Sequence, residues 1–242
     1  MMLLLGLGLL AGPCVAHAAD STATARSAEP GERAASSVPR LAVHQLSGVI
    51  DESLRTLIIR DDARGILQYG RDGRPVNGQD ERGQGALHIA IERESQNAFK
   101  ALVQIPGMPF DAPNRLGETP LTLASIKGDA LAVDWLIRMG AKLDRPGWTP
   151  LHYAACTDRV DILERLLAGG APVNAASENG TTPLMMAARY GSEAVLLRLL
   201  AAGAQRQAVN QRGMSAADAA EMAGRDSLAK RLRQGDLSTP AP

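Results

Sequence analysis

The stretch GWTPLHYAA, Gly147 to Ala155, decides the fold. Thr149 can cap a helix through its hydroxyl, and Pro150 suits the first helical turn, where a missing N–H costs nothing. Leu151, Ala154 and Ala155 then fall on one stripe at spacings of three and four. The alanine pair is small enough to let another helix approach closely. A second helix follows, with Val160, Leu163, Leu166 and Leu167 as its apolar face, and Gly169-Gly170 stops it as a left-handed C-terminal cap would.

The same grammar recurs along the chain. GQGALHIAI from Gly83, GETPLTLAS from Gly117 and GTTPLMMAA from Gly180 align with it, and GMSAADAAE from Gly213 does so more loosely. The equivalent apolar positions Leu87, Leu121, Leu151, Leu184 and Ala217 are spaced by 34, 30, 33 and 33 residues. Gly73, Gly107, Gly140, Gly170 and Gly203 each end an apolar run and precede the next marker by 14, 14, 11, 14 and 14 residues. The 30-residue unit has therefore lost three residues between Gly140 and Leu151. Second-helix faces are also readable in Val133/Leu136/Ile137 and Val195/Leu196/Leu199/Leu200. One pair of short helices cannot bury its own face, so stacked neighbours must supply a continuous core.

These residues resemble the ankyrin repeat: TPLH at Thr149–His152, a helix pair, Gly-Ala at Gly140, Gly170 and Gly203, and Val-Asn at Val76 and Val173. The resemblance implies an all-α solenoid of helix–turn–helix units with short β-hairpin fingers over residues 48–235. The units are expected at 48–79 (opening cap, apolar through Ile50, Leu54, Leu57 and Ile58), 80–113, 114–143, 144–176, 177–209 and 210–235 (closing cap). Gly85-Ala86 in place of Thr-Pro predicts a weaker helix cap in the first clear unit. The three-residue loss is read as a shortened finger at Asp144-Arg145-Pro146-Gly147.

Upstream, MMLLLGLGLLA is an apolar run too short to span a bilayer. With Ala16 and Ala18 as small cleavage-site residues, residues 1–18 read as a signal peptide, although no Lys or Arg precedes the run. Pro13 before Cys14 argues against lipidation. Cleavage after Ala18 would leave Cys156 as the one cysteine. Residues 19–47, rich in Ala, Ser, Pro and charge, are expected to be a disordered linker, and 236–242 a disordered tail. The location this predicts is the bacterial periplasm.

Lys+Arg and Asp+Glu are 26 each, for a net charge of +0, and aromatics are 3%. No excess positive charge is available for phosphates and few rings for base stacking, so a nucleic-acid partner is not expected. Neither is membrane insertion, a cofactor or a metal: no phosphate-loop, Cys-x-x-Cys or paired-His spacing occurs. His88 and His152 occupy the fourth TPLH position, which the resemblance makes a structural link between units. His152 and Cys156 stand four apart on one helix, within reach of a nucleophile–base pair, but no third group or oxyanion donor accompanies them.

What remains is a binding surface, expected on a monomer that binds a protein partner without catalysing anything. The resemblance implies contacts from the fingers and the exposed ends of the inner helices. The finger positions are Glu81, Arg82 and Gln84; Arg115, Leu116 and Glu118; Trp148; Glu178, Asn179 and Thr181; and Gln211, Arg212 and Met214. The helix positions are Glu92/Arg93, Ile126/Lys127, Cys156/Thr157 and Arg189/Tyr190. Trp148, Tyr190, Leu116, Ile126 and Met214 are expected to form an apolar centre edged by charge, as interfaces do; packing of Trp148 and Tyr190 between repeats is the competing reading. Trp135 is expected on the convex side. Narrower alternatives are an inhibitor or immunity protein that plugs a secreted enzyme, and an accessory protein that stabilises a periplasmic one.

The inside/outside assignment has a direct check by equilibrium urea unfolding. Leu151→Ala should cost about 2–5 kcal/mol and Glu178→Ala under about 0.5 kcal/mol; equal losses would refute it.

Overall fold

The computed structural model describes residues 48–235. The expected leader (1–18), linker (19–47, with His44) and tail (236–242) lie outside the described residues. Among the described residues twelve α-helices follow one another in pairs: α1 Glu52–Ile59 and α2 Ala63–Arg71; α3 Ala86–Glu92 and α4 Gln96–Leu102; α5 Pro120–Lys127 and α6 Ala130–Arg138; α7 Pro150–Cys156 and α8 Val160–Ala168; α9 Pro183–Tyr190 and α10 Glu193–Ala201; α11 Ala216–Met222 and α12 Asp226–Gln234. Among the described residues β-structure is confined to isolated bridges, Val49 with Gln79 and Gln79 with Gly85. The chain is an all-helical repeat solenoid.

Capping residues start the inner helices where the sequence places them. The Thr119 and Thr182 hydroxyls accept from the N–H groups of Thr122 and Met185, and Pro120, Pro150 and Pro183 occupy the first turns. At Ser215 the reciprocal pair forms: the Asp218 carboxylate accepts from the Ser215 N–H and hydroxyl, and Ser215 Oγ accepts from the Asp218 N–H. Those bonds hold the Asp218 carboxyl at a pKa of about 2.

Each odd-numbered helix packs on its neighbours in the series (α3 on α1, α5 on α3, α7 on α5, α9 on α7, α11 on α9), while α2 packs on α4, α6 on α8 and α8 on α10. Small residues set the inner contact: Ala90, Ala124, Ala154, Ala155, Ala187, Ala188 and Ala220 are all buried. Between them the outer helices insert Val133, Leu136, Leu163, Leu166, Val195, Leu196 and Leu199, all fully buried. Ile137, Val160, Leu167 and Leu200 lie partly buried against that core. Ile50, Leu54 and Ile58 of the opening unit join it, and Leu57 is half-buried there.

Polar side chains tie neighbouring units together. Asp61 and Asp158 adopt positive φ in the turn between the two helices of their units, and each reaches a later outer helix: Asp61 accepts from the Ala98 N–H (2.7 Å), Asp158 from the Ser192 N–H (3.1 Å). Ion pairs climb the outer helices, the half-buried Asp134 with Arg165 and Glu193 with Arg231 and the exposed Glu164 with Arg198; the exposed one contributes little singly. Trp135 sits half-buried on α6, and the Arg138 guanidinium lies over its ring at 4.6 Å.

The closing unit is locked differently. A Cβ on Gly191 would meet the Ala155 carbonyl oxygen at 2.5 Å, so only glycine lets the chain leave α9 there. The Arg225 guanidinium donates to the carbonyls of Ala187 (3.2 Å), Ala188 (2.9 Å) and Gly191 (2.7 Å) at the end of α9, where carbonyls run short of helical partners; that of Ala187 also accepts from the Gly191 N–H. Arg225→Ala should therefore cost about 1.5–3 kcal/mol and expose the α11–α12 amides first in native-state hydrogen exchange; uniform protection loss across the array would contradict this.

Candidate functional site

The fingers are five-residue turns that share one construction. The Asp80, Asn114 and Asn210 side-chain oxygens each accept from the N–H of the third and fifth turn residues: Arg82 and Gln84, Leu116 and Glu118, Arg212 and Met214. In the fourth finger Asn179 Oδ1 and Ser177 Oγ take the Thr181 N–H instead. Two backbone bonds close each of these turns: the first residue's N–H donates to the fifth residue's carbonyl (Asp80 to Gln84, Asn114 to Glu118, Ser177 to Thr181, Asn210 to Met214), and the glycine N–H donates back to the first residue's carbonyl. Fingers one and two are joined by the Arg115 N–H to the Arg82 carbonyl (3.0 Å), and four and five by the Gln211 N–H to the Asn179 carbonyl (2.9 Å). Among the described residues no equivalent backbone bond joins the third finger to either neighbour.

The third finger corrects the sequence reading. It is not shortened: Asp144-Arg145-Pro146-Gly147-Trp148 spans the full turn, with Gly147 at φ +85° in the slot of Gly83 and Gly180. The three missing residues come from the stretch before it, where 141–143 stands in place of six residues such as 171–176. Pro146 occupies the third slot and has no N–H to donate to the first residue's side chain. Arg145 holds this finger instead, donating from its guanidinium to the Gly117 carbonyl.

The fifth finger position also corrects it. Glu118, Trp148 and Thr181 are buried and not part of an exposed surface. The Glu118 and Thr181 carbonyls close their turns and also face the histidine of the preceding unit. Trp148 packs with His152 (ring centroids 5.4 Å apart) and Tyr153 (5.7 Å) of its own unit. Burial lifts the Tyr153 phenol to about 12, with the Glu118 carboxylate adding to it. Cys156 is buried and is not a free thiol, against the expectation of a lone accessible cysteine. The expected apolar centre therefore loses Trp148.

The other candidates reach solvent. Arg82, Arg93, Arg115, Leu116, Glu178, Gln211 and Arg212 are exposed, as is Glu81. Gln84, Glu92, Ile126, Lys127, Thr157, Asn179, Arg189, Tyr190 and Met214 are half-buried. Leu116 is 74% exposed, a large apolar side chain at a finger tip. The Arg189 guanidinium lies 5.0 Å from the centre of the Tyr190 ring, and Lys127 donates to the Glu92 carbonyl at the end of α3. The opening of the inner face is a groove of about 470 Å³ where Val49, Glu52 and Arg55 meet Arg82, Glu92 and Arg93. Val49 is 86% exposed there, a contributor the sequence reading missed because its repeat pattern begins only after it.

The histidines link units. His152 Nε2 lies 2.9 Å from the Thr181 carbonyl of the next finger, and its Nδ1 accepts from the Thr149 N–H (3.2 Å) and meets Thr149 Oγ1 (2.8 Å). The pattern places the proton on Nε2, which donates to Thr181. Both ring nitrogens are thus engaged, and neither is left to activate Cys156. His88 repeats the arrangement with Glu118 (2.9 Å), and its Nδ1 accepts from the Gly85 N–H (3.3 Å), although Gly85 has no hydroxyl to add the second contact that Thr149 makes. Among the described residues no group of three or more His, Cys, Asp or Glu could hold a metal ion, and no helix is long and apolar enough to cross a membrane.

Four overlapping matches to the family model for ankyrin repeats (3 copies) cover residues 64–146, 87–177, 132–211 and 160–239. The chain belongs to the ankyrin-repeat family. Relatives include ankyrin repeat domain-containing protein 63 of Homo sapiens, 32% identical over 142 residues, which are 55% of this chain and 35% of the human protein. Neurogenic locus notch homolog protein 1 of Danio rerio is 33% identical over 114 residues, 46% of this chain and 5% of that protein. The chain thus spans a minor part of these relatives. Among solved structures, a chain of the complex of the Bd0816 predatory endopeptidase from Bdellovibrio bacteriovorus with immunity protein Bd3460 matches with TM-score 0.65 and 26% identity, over 76% of this chain and 98% of that one. Ankyrin repeats indicate a protein-binding scaffold.

Burial lowers the His152 pKa from 6.5 to about 4, against the opposing pull of the Thr181 carbonyl. Between those values the unfolded chain binds a proton that the folded chain refuses, so this stabilisation is complete above pH 6.5 and is lost as pH falls toward 4. Its size is roughly 3 kcal/mol. Urea unfolding at pH 7.5 and 4.5 should show the loss, and His152→Gln should flatten it; an unchanged slope in the variant would assign the effect elsewhere.

Proposed function

We propose that this ankyrin-repeat chain is a non-catalytic scaffold, exported to the bacterial periplasm, that grips one protein partner with its fingers and inner-helix ends. The observation that carries this is the row of candidates that reach solvent, with Leu116 exposed at a finger tip and Ile126, Lys127, Arg189 and Tyr190 half-buried. Half-buried aromatic and arginine side chains in a rigid setting lose little freedom on binding and are the residues interfaces depend on. The apolar run before Gly12-Pro13 and the small residues at Ala16 and Ala18 support export.

A narrower second reading is that the chain blocks a secreted enzyme as an immunity protein does. It is supported by the likeness to the endopeptidase–immunity protein complex, where the match takes in nearly the whole of the other chain. Adding the purified chain to a secreted endopeptidase from the same cell should then titrate its activity away at one chain per enzyme. The accessory reading predicts retained activity and slower inactivation instead.

Crosslinking in the periplasmic fraction identifies the partner, and calorimetry then tests the surface. Tyr190→Ala and Arg189→Ala should each weaken binding about tenfold or more, whereas Arg138→Ala on the outer helix should leave it unchanged. Equal affinities across the three variants would remove the inner face from the interface.

A further inference from the structure

Residues 74–79, 108–113, 171–176 and 204–209 each carry the chain from an outer helix to its finger in six residues, and 141–143 does so in three. Where neighbouring stretches meet they bond: Gln79 Nε2 to the Pro113 carbonyl, the Lys142 N–H to Asp111 Oδ1, and Asn174 to both the Gly203 carbonyl and the Gln205 N–H. Between the third finger and 172–176 lies an open hollow of about 780 Å³, with Asp144, Arg145 and Pro146 on one wall and Pro172, Val173 and Ala176 on the other.

The chemistry of this hollow is restricted. Its walls are largely apolar. Of its polar side chains, Arg145 is occupied by the Gly117 carbonyl and Asn174 by the next repeat. Asp144 is exposed and takes part in none of the ion pairs of the described residues, and Pro146 offers no N–H to its side chain. A carboxylate beside proline, valine and alanine complements a cationic side chain with apolar neighbours. The hollow is open along one side, so a small molecule would stay largely wet, whereas a loop anchored in a larger interface enters with little further loss of freedom.

We propose that the hollow receives a projecting loop of the protein partner, one that sets a lysine or arginine against Asp144 between apolar residues on Val173 and Pro172. The proposal rests on the finger face being the protein-binding surface.

Two peptides test it without the partner: acetyl-PLKLP-amide and the same peptide with glutamate in place of lysine. Titrated into the folded chain and followed by backbone amide shifts, the lysine peptide should move Asp144 and 173–176 and bind about tenfold more tightly than the glutamate one. Asp144→Asn should abolish that discrimination. Inserting Asn-Ala-Ala between Leu143 and Asp144, which restores the six-residue stretch, should remove the shifts with the helical circular dichroism intact; if the insertion unfolds the chain, Asp144→Asn alone decides. Equal binding of the two peptides, or discrimination that survives Asp144→Asn, overturns the proposal. Tyr190→Ala and Arg189→Ala, off the hollow, should leave the peptide shifts unchanged; if they weaken the partner while the peptides fail to discriminate, the finger face stands and the proposal for the hollow falls.

Discussion

No helix pair in this chain can bury its own apolar face, and every other feature of the structure follows from that deficit. The inner helices meet through alanines, Ala124, Ala154, Ala155, Ala187 and Ala188, because only small side chains let short helices approach closely enough for the outer-helix leucines and valines to close the core behind them. The contact is local in sequence, each layer touching the next, so the array behaves as a one-dimensional stack. A rigid row of finger and helix-end residues is its by-product.

Polar links then fix the layers in register. His88 and His152 donate across to the carbonyl that closes the next finger, Asp61 and Asp158 reach the start of a later outer helix, and Arg225 takes three carbonyls at the end of α9. Each bond is modest in net energy, but each satisfies a backbone group that burial would otherwise penalise. That accounts for neutral, buried imidazoles in a protein whose charged residues stay mostly at the surface. It also sets their chemistry: a ring committed at both nitrogens links structure and does not shuttle protons.

The interruption at the third finger is where this regular scheme departs from itself. Losing three residues ahead of Asp144 preserves the turn and the helices but breaks the row that feeds the fingers. A repeat array tolerates such a loss because the core contacts lie in the helices. The fingers and the stretches before them are therefore the part of the molecule free to diversify toward a partner.

The repeat, its period, the helix pairs, the capping Thr-Pro and the linking histidines were all legible in the sequence, since each depends on residues close along the chain. The lost residues were legible as a count, not as a place. Whether they came from the finger tip or from the stretch before it depends on where Gly147 sits relative to Gly180, and only the stacked layers decide that. Likewise, Trp148, Glu118 and Thr181 read as surface because turns usually face water. Glu118 and Thr181 lie against the preceding layer, where a histidine some thirty positions away holds the carbonyl of each, and Trp148 folds onto His152 and Tyr153 of its own unit. Local pattern determined the elements, and contact between layers determined which of the polar and aromatic residues were left to meet a partner.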